Sequence, residues 1–153
     1  MPILIDLSQH MISNVMASPD IRTQIDPNMI RHMIINSLMS IKKKFSAEYG
    51  DIVICCDSKN GYWRREVFPH YKAGRKKARD EDSFINWNEL FQCINQIEQD
   101  LIEYFPYKVL RIDGAEADDV IGILALFATE KTLIIGSDKD YIQCQRTPLV
   151  KQY

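Results

Sequence analysis

Acidic residues in this 153-residue chain fall repeatedly at the ends of apolar runs. Asp6 follows Ile3-Leu4-Ile5, and Asp57 follows the run over residues 52–56. Glu116, Asp118 and Asp119 come shortly after residues 107–112, and Asp138 and Asp140 shortly after residues 132–135. If those four runs are parallel strands, their carboxyl ends share one edge of a sheet, where open α/β sheets bind ligands near a topological switch point. Converging carboxylates repel one another unless protonated or bound to cations. An all-oxygen site suits hard ions such as Mg²⁺ or Mn²⁺. Two such ions roughly 4 Å apart can clamp the attacking and leaving oxygens of a phosphodiester displacement. Singly, each acid has a plainer reading: Asp138 could cap the turn after Ser137, and Glu116, Asp118 and Asp119 could favour a helix N-terminus. Asp6 and Asp57 carry most weight, because neither precedes an obvious helix start. Asp51, Asp80, Glu81 and Asp82 lie elsewhere and read as solvated.

A basic segment follows Asp57. Arg64, Arg65, Lys72, Arg75, Lys76, Lys77 and Arg79 stand against the single acid Glu66, a net +6. The remaining chain holds 12 basic and 20 acidic residues, a net −8, so the overall −2 conceals a polarised charge map. Such cations bind phosphate, and counterion release makes the contacts salt-dependent. Tyr62, Trp63, Phe68 and Tyr71 are interleaved, and aromatic faces can stack on unpaired bases. The plainer reading is a solvated loop anchored by aromatics, and Trp63 and Phe68 are expected to be core anchors on either reading. Beside the acids, these cations would attract a polyanion and offset charge developing on its phosphate.

Several elements must position these residues. Apolar runs alternate with helical periodicity, the pattern of an α/β, three-layer domain around a central, mostly parallel sheet. Asp26 caps a helix with Pro27 in its first turn. Ile30, Met33, Ile34, Leu38, Ile41 and Phe45 form its apolar stripe, and Lys42, Lys43 and Lys44 sit near its end, where cations complement the dipole. Residues 61–82 lack clear periodicity. Asn86 with Glu89 resembles a capping box, and Trp87, Leu90, Phe91, Ile94, Leu101 and Ile102 mark the helix behind it, ended by Pro106. Residues 107–112 read as a third strand, 117–128 as a helix, 132–135 as a fourth strand and 138–143 as a helical turn. Leu149 and Val150 open a fifth strand.

With 46% hydrophobic residues and no linker or repeat, residues 1–153 read as one domain with a real core. Cys55, Cys56, Cys93 and Cys144 form no C-x-x-C pair; adjacent Cys55 and Cys56 would face opposite sides of a strand as small buried hydrophobes of a reducing compartment. No apolar run approaches the roughly 18 residues that span a bilayer, and the N-terminus lacks the basic region of a signal peptide. A cytoplasmic protein without a membrane partner is expected. His10, His32 and His70 are scattered, and no Ser-His-Asp or Cys-His grouping stands out.

The motifs together resemble the 5′ nucleases, the family of flap endonucleases and the 5′-nuclease domains of bacterial DNA polymerases. Leu4-Ile5-Asp6-Leu7-Ser8, Cys56-Asp57, Gly61-Tyr62-Trp63-Arg64-Arg65, Phe68-Pro69-His70-Tyr71-Lys72 with Arg75, Glu116-Ala117-Asp118-Asp119 and Ser137-Asp138-Lys139-Asp140 appear in the family order across the whole chain. The resemblance implies a PIN-like catalytic domain and an Mg²⁺-dependent enzyme, with two ions and Mn²⁺ able to substitute. Its substrates would be DNA or RNA–DNA hybrids with a free 5′ end or flap, as in primer removal during replication. By motif position, Asp6, Asp57, Glu116, Asp119 and Asp138 look like first-metal ligands or their water-mediated partners, and Asp118 and Asp140 like contributors nearer a second metal. Lys72 and Arg75 resemble the basic pair at the scissile phosphate. Arg64, Arg65, Tyr71, Lys76, Lys77 and Arg79 are expected to bind nucleic acid, and residues 76–92 to form an arch over a single strand.

Family members continue into a helical region that grips duplex DNA, absent here, so a separate chain supplying it is a possible partner. Two other readings stay open. One is a truncated nuclease half that binds nucleic acid or a partner without cutting; the other is a compact single-strand ribonuclease of the PIN type. A small-ester phosphatase fits poorly, because the basic segment exceeds what one phosphate requires.

Overall fold

The computed structural model describes residues 1–18, 25–82 and 84–153, and the backbone but not the side chain of Lys76. Five strands form one sheet: β1 Pro2–Asp6, β2 Asp51–Cys56, β3 Lys108–Arg111, β4 Thr132–Ile135 and β5 Val150–Gln152. They run in the order β3-β2-β1-β4-β5, and every pairing is parallel. β1 lies at the centre, with Ile3 opposite Ile52 on β2 and Leu133 on β4. Such central strands are covered on both faces, which explains their unbroken apolar sequences. The chain winds from β1 outward to β2 and β3, then returns to the other side for β4 and β5. The switch point therefore falls between β1 and β4, at the carboxyl ends that carry Asp6 and Asp138.

On one face, Ile3, Ile5, Ile52, Ile54 and Cys56 pack with helices α1 (Leu7–Met16), α2 (Pro27–Tyr49) and α3 (Trp87–Tyr104). On the other, Leu4, Cys55 and Ile134 pack with helix α4 (Ala117–Leu126) and with Tyr141 from the 3₁₀ turn Lys139–Cys144. Cys55 and Cys56 do face opposite sides, both buried and unpaired. Two short helices lie in the basic segment, Trp63–Val67 and Ala73–Asp80. Among the described residues, no helix is long and apolar enough to cross a membrane.

α2 begins as its sequence requires: the Asp26 carboxylate accepts from the backbone N–H of Asn28 and Met29, and Pro27 takes the first helical position. It runs on to Tyr49, so Lys42, Lys43 and Lys44 lie short of the last turn and do not act on its C-terminal dipole; Lys44 instead lies over the Phe45 and Tyr153 rings. Gly50 ends it at φ +74°. In α3, the Asn86 side chain accepts from Glu89 N–H, while the Glu89 carboxylate is met by the Asn86 side-chain amide and not by backbone. That helix buries Leu90, Cys93, Ile94, Ile97 and Leu101, leaves Ile102 half exposed, and carries two buried acids. Glu98 pairs with Arg111 of β3, and Asp100 pairs with Arg31 of α2 at 2.8 Å.

α1 contradicts the expectation that Asp6 precedes no helix. The Asp6 side chain accepts from Gln9 N–H at 2.9 Å and caps α1 directly. Residues 87–92, expected to belong to an arch, are instead the first turns of α3, with Leu90 fully buried. Trp63 and Phe68 are not core anchors either; they are 48% and 56% exposed.

Candidate functional site

The carboxyl ends of the strands open onto one cleft of about 980 Å³. Asp6, Asp57, Glu116, Asp118, Asp119, Asp138 and Asp140 all line it. Asp6 arrives on β1, Asp57 just beyond β2, the next three at the start of α4, and Asp138 with Asp140 at the turn after β4. Backbone geometry fixes several of them. Asp57 Oδ1 accepts from Ala117 N–H at 2.9 Å, tying the end of β2 to the first turn of α4. Asp138 caps its turn by accepting from Asp140 N–H at 2.9 Å, and its carbonyl accepts from the Gln152 side chain. The plainer capping role of Asp138 is therefore real, alongside its place in the cleft.

Asp6, Asp57 and Asp118 form the part that no ion pair offsets among the described residues, although the Lys72 charge partly favours ionised Asp118. Burial pushes the Asp6 carboxyl up to about 7, against the pull of the Gln9 N–H, and the like charges of Asp57 and Asp118 add to the rise. Burial likewise raises Asp118. Tyr141, fully buried, sends its hydroxyl between them: 2.7 Å from Asp118 Oδ1 and 3.4 Å from Asp6 Oδ2. Its own ionisation is suppressed by burial and by the acids it faces. This tyrosine went unread in the sequence, although its position directly behind Ser137-Asp138-Lys139-Asp140 was the available signal.

Glu116 and Asp119 are compensated by the basic segment. Arg64 forks onto Asp119, Nη2 to Oδ1 at 2.6 Å and Nη1 to Oδ2 at 2.7 Å, and Nη1 also lies 3.0 Å from Glu116 Oε2. The Trp63 indole N–H donates to Asp119 at 3.2 Å. The Tyr71 hydroxyl and the Lys72 ammonium donate to the two oxygens of Glu116 at 2.8 and 2.5 Å. Asp119 also accepts from the Glu116 backbone N–H, which closes a capping box. Burial opposes ionisation of Asp119, but Arg64 and these N–H donors outweigh it and hold its pKa below the ordinary carboxylate value. Burial pulls Lys72 down, and Glu116 and Tyr71 more than restore it.

Expected nucleic-acid contacts separate accordingly. Arg64 and Tyr71 are turned onto acids. Arg65 is exposed above the Tyr62 ring and lines the cleft, as do exposed Arg75 and half-buried Arg79, the latter over Phe91. Lys77 is exposed 3.8 Å from Glu81 and outside the cleft. The Lys76 side chain lies outside the described residues. Arg111, also unanticipated, donates to the Asp57 carbonyl at 3.2 Å.

The five expected first-metal acids share this edge of the sheet but do not close into a tight group. Among the described residues, no three or more His, Cys, Asp or Glu stand together closely enough to hold a metal ion. The physical reason is that two of the acids are already drawn onto Arg64 and Lys72, while the others repel. By donor chemistry the site nevertheless suits a hard cation: every candidate donor is a carboxylate oxygen, and Asp6, Asp57 and Asp118 carry like charge that no ion pair offsets among the described residues.

A model of the 5′-3′ exonuclease N-terminal resolvase-like domain matches residues 3–153. Ribonuclease H of Enterobacteria phage T4 is 40% identical over 155 aligned positions, covering 98% of this chain and 50% of that protein. Among solved structures, the T5 5′-exonuclease with bound divalent metal ions (zinc) superposes with a TM-score of 0.77 at 17% identity, over 100% of this chain and 55% of that one. A T5 flap endonuclease in complex with DNA and metal ions gives 0.75 at 18% identity, over 99% and 54%. These two show the shared fold. The chain spans about half the length of these relatives. With a family model matched from residue 3 to residue 153 and a relative 40% identical along nearly its whole length, the chain belongs to the 5′-3′ exonuclease family.

Proposed function

We propose that this chain is the catalytic half of an Mg²⁺-dependent 5′ nuclease. Its reaction is hydrolysis of phosphodiester bonds at 5′ ends or flaps of DNA, or of RNA paired to DNA, as in primer removal. The observation that carries this reading is the cleft at the switch point, where acids from three strand ends and a helix start face a wall of cations. Asp6, Asp57 and Asp118, with Asp138 and Asp140, are the residues to hold one or two divalent ions, Mg²⁺ or Mn²⁺. Glu116 and Asp119 stand behind them. When bound, such ions stabilise the negative charge that builds on a phosphate undergoing displacement.

The chain's own residues contribute orientation and charge. Arg75, exposed on the cation wall, would meet the phosphate, and Lys72, held on Glu116, adds its charge to that wall without leaving its carboxylate. Arg65 and Arg79 extend that wall along the strand's path. Tyr141 bridges Asp6 and Asp118, its hydroxyl lying within hydrogen-bond reach of both. The helical region that completes the longer relatives is the proposed partner, whether in the same polypeptide or a separate one, and the cytoplasm the proposed compartment.

The test is cleavage of a 5′-flap DNA and of a 5′-RNA/DNA hybrid in Mg²⁺ or in EDTA, by this chain and by Asp57→Asn. Cutting that requires the ion and falls at least about 100-fold in the variant supports the nuclease. Metal-independent binding of the same substrates without cutting overturns it in favour of a binding half. A strong preference for single-stranded RNA over flaps would instead favour a PIN-type ribonuclease.

A further inference from the structure

The basic segment reaches the start of α4 through two neighbouring pairs of residues, Trp63 with Arg64 and Tyr71 with Lys72. Each pair converges on one carboxylate, Asp119 and Glu116 respectively. Arg64 is the most committed of the four. Both terminal nitrogens are bonded to Asp119, and one reaches Glu116 as well. Its guanidinium lies 4.7 Å from the Trp63 ring centroid and 5.7 Å from that of Tyr71, so two aromatic rings flank a side chain that stays 29% exposed.

We propose that Arg64 is a positioning residue that fixes Asp119 and Glu116 at the first turn of α4, and not a contact to the nucleic-acid backbone. This rests on the metal-dependent reading above. To meet a phosphate, Arg64 would have to surrender a two-pronged pair with Asp119 and expose Glu116, only 3% accessible, to an anion. A phosphate brings no compensating donor. Left in place, the fork does two things. It holds Asp119 where that carboxylate also caps the Glu116 N–H, so the helix start cannot unwind. It also divides the acids into a neutralised pair, Glu116 and Asp119, and an uncompensated set, Asp6, Asp57 and Asp118, to which a divalent cation is directed. That same first turn carries Asp118, one of the proposed ligands, and groups that orient a ligand in this way typically affect metal affinity about 10- to 100-fold.

Two measurements on the same proteins test this: Mn²⁺ titration without substrate, followed by electron paramagnetic resonance, and the salt dependence of 5′-flap DNA binding in EDTA. The proteins are wild type, Arg64→Lys and Arg64→Ala, with circular dichroism to confirm folding; the lysine variant keeps the charge and safeguards the test if the alanine variant unfolds. Both variants are expected to bind Mn²⁺ about tenfold or more weakly, because lysine lacks the planar fork. The slope of log affinity against log salt should stay that of the wild type. A slope shallower by about 0.9, the loss of one phosphate contact, with Mn²⁺ affinity intact, overturns the proposal. So does tighter Mn²⁺ binding in Arg64→Ala, which would make the arginine a competitor for the acids. Wild type that binds no Mn²⁺ overturns the metal reading itself, and is distinct from variants that match a binding wild type.

Discussion

Asp6 is asked for two opposite things. As the cap of α1 it is best ionised, since its oxygen accepts from Gln9 N–H. As a buried neighbour of Asp57 and Asp118 it is best protonated, and its pKa of about 7 against an ordinary 3.8 shows that burial wins. The sign of the stability effect follows. A carboxyl whose folded pKa lies above its unfolded value favours the fold at low pH, and that contribution is lost as pH rises from about 4 through about 7. In EDTA, the melting temperature should therefore fall between about pH 5 and pH 8. Asp6→Asn should flatten that fall, since asparagine cannot ionise. Added Mg²⁺ should restore stability chiefly at the upper end, because a cation binds the ionised acids. A wild-type melting temperature independent of pH over this range in EDTA would contradict the account. At this scale Asp57→Asn is the companion variant: it removes one charge from the same cluster, should raise stability in EDTA slightly, and should abolish cutting.

Elements decide how closely these residues can be set. α2 must stop before β2 can enter the sheet beside β1, and Gly50 performs the stop at φ +74°. A Cβ there would lie 2.5 Å from the Met1 carbonyl oxygen, a backbone atom that cannot swing away. Gly50→Ala is expected to lose about 1–3 kcal/mol, from the left-handed backbone and the clash together, read as a lower urea midpoint at unchanged slope. A loss of less than about 0.5 kcal/mol would mean that the start of β1 shifts to accommodate the methyl. Elements also explain what could be read in advance. The three inner strands, β2, β1 and β4, were legible because burial on both faces leaves apolar runs, and α2 and α3 because their stripes are long. α1 was not, since it is short, buries only Leu7, Met11 and Val15 fully, and begins at an acid that reads as part of the cleft. The helix Trp63–Val67 buries nothing, so it has no stripe to find. The acids of the site were visible because they fall just after strands, Asp6, Asp57, Asp138 and Asp140 at strand ends and Glu116, Asp118 and Asp119 at the helix start beyond β3. Their partners were not, because Arg64 meets Asp119 and Tyr141 meets Asp6 across more than 50 residues of chain.

For the molecule as a whole, the separation of charge is the governing feature. A segment of net +6 lies along a chain otherwise at −8, and the fold spends part of that segment on itself. Arg64 and Lys72 are bonded to Asp119 and Glu116, which leaves Arg65, Arg75, Lys77 and Arg79 as the exposed or half-exposed cations among the described side chains. If each of these four met one phosphate, log affinity for duplex-containing substrate would fall against log salt with a slope near −3.6, and near −2.8 for a single strand. Use of all seven basic residues would give about −6.3 for duplex instead. Fluorescence anisotropy in EDTA, with the salt raised stepwise from about 50 to 200 mM, separates the two cases. A slope near −3 to −4 is expected, and Arg75→Ala should make it shallower by about one contact. A slope near −6 would mean that substrate pulls Arg64 and Lys72 off their carboxylates. The net-acidic remainder of the chain then favours approach of the polyanion at the cation wall beside the cleft. Reversing the charge of Arg75 should slow association more than it speeds dissociation, because steering acts before contact.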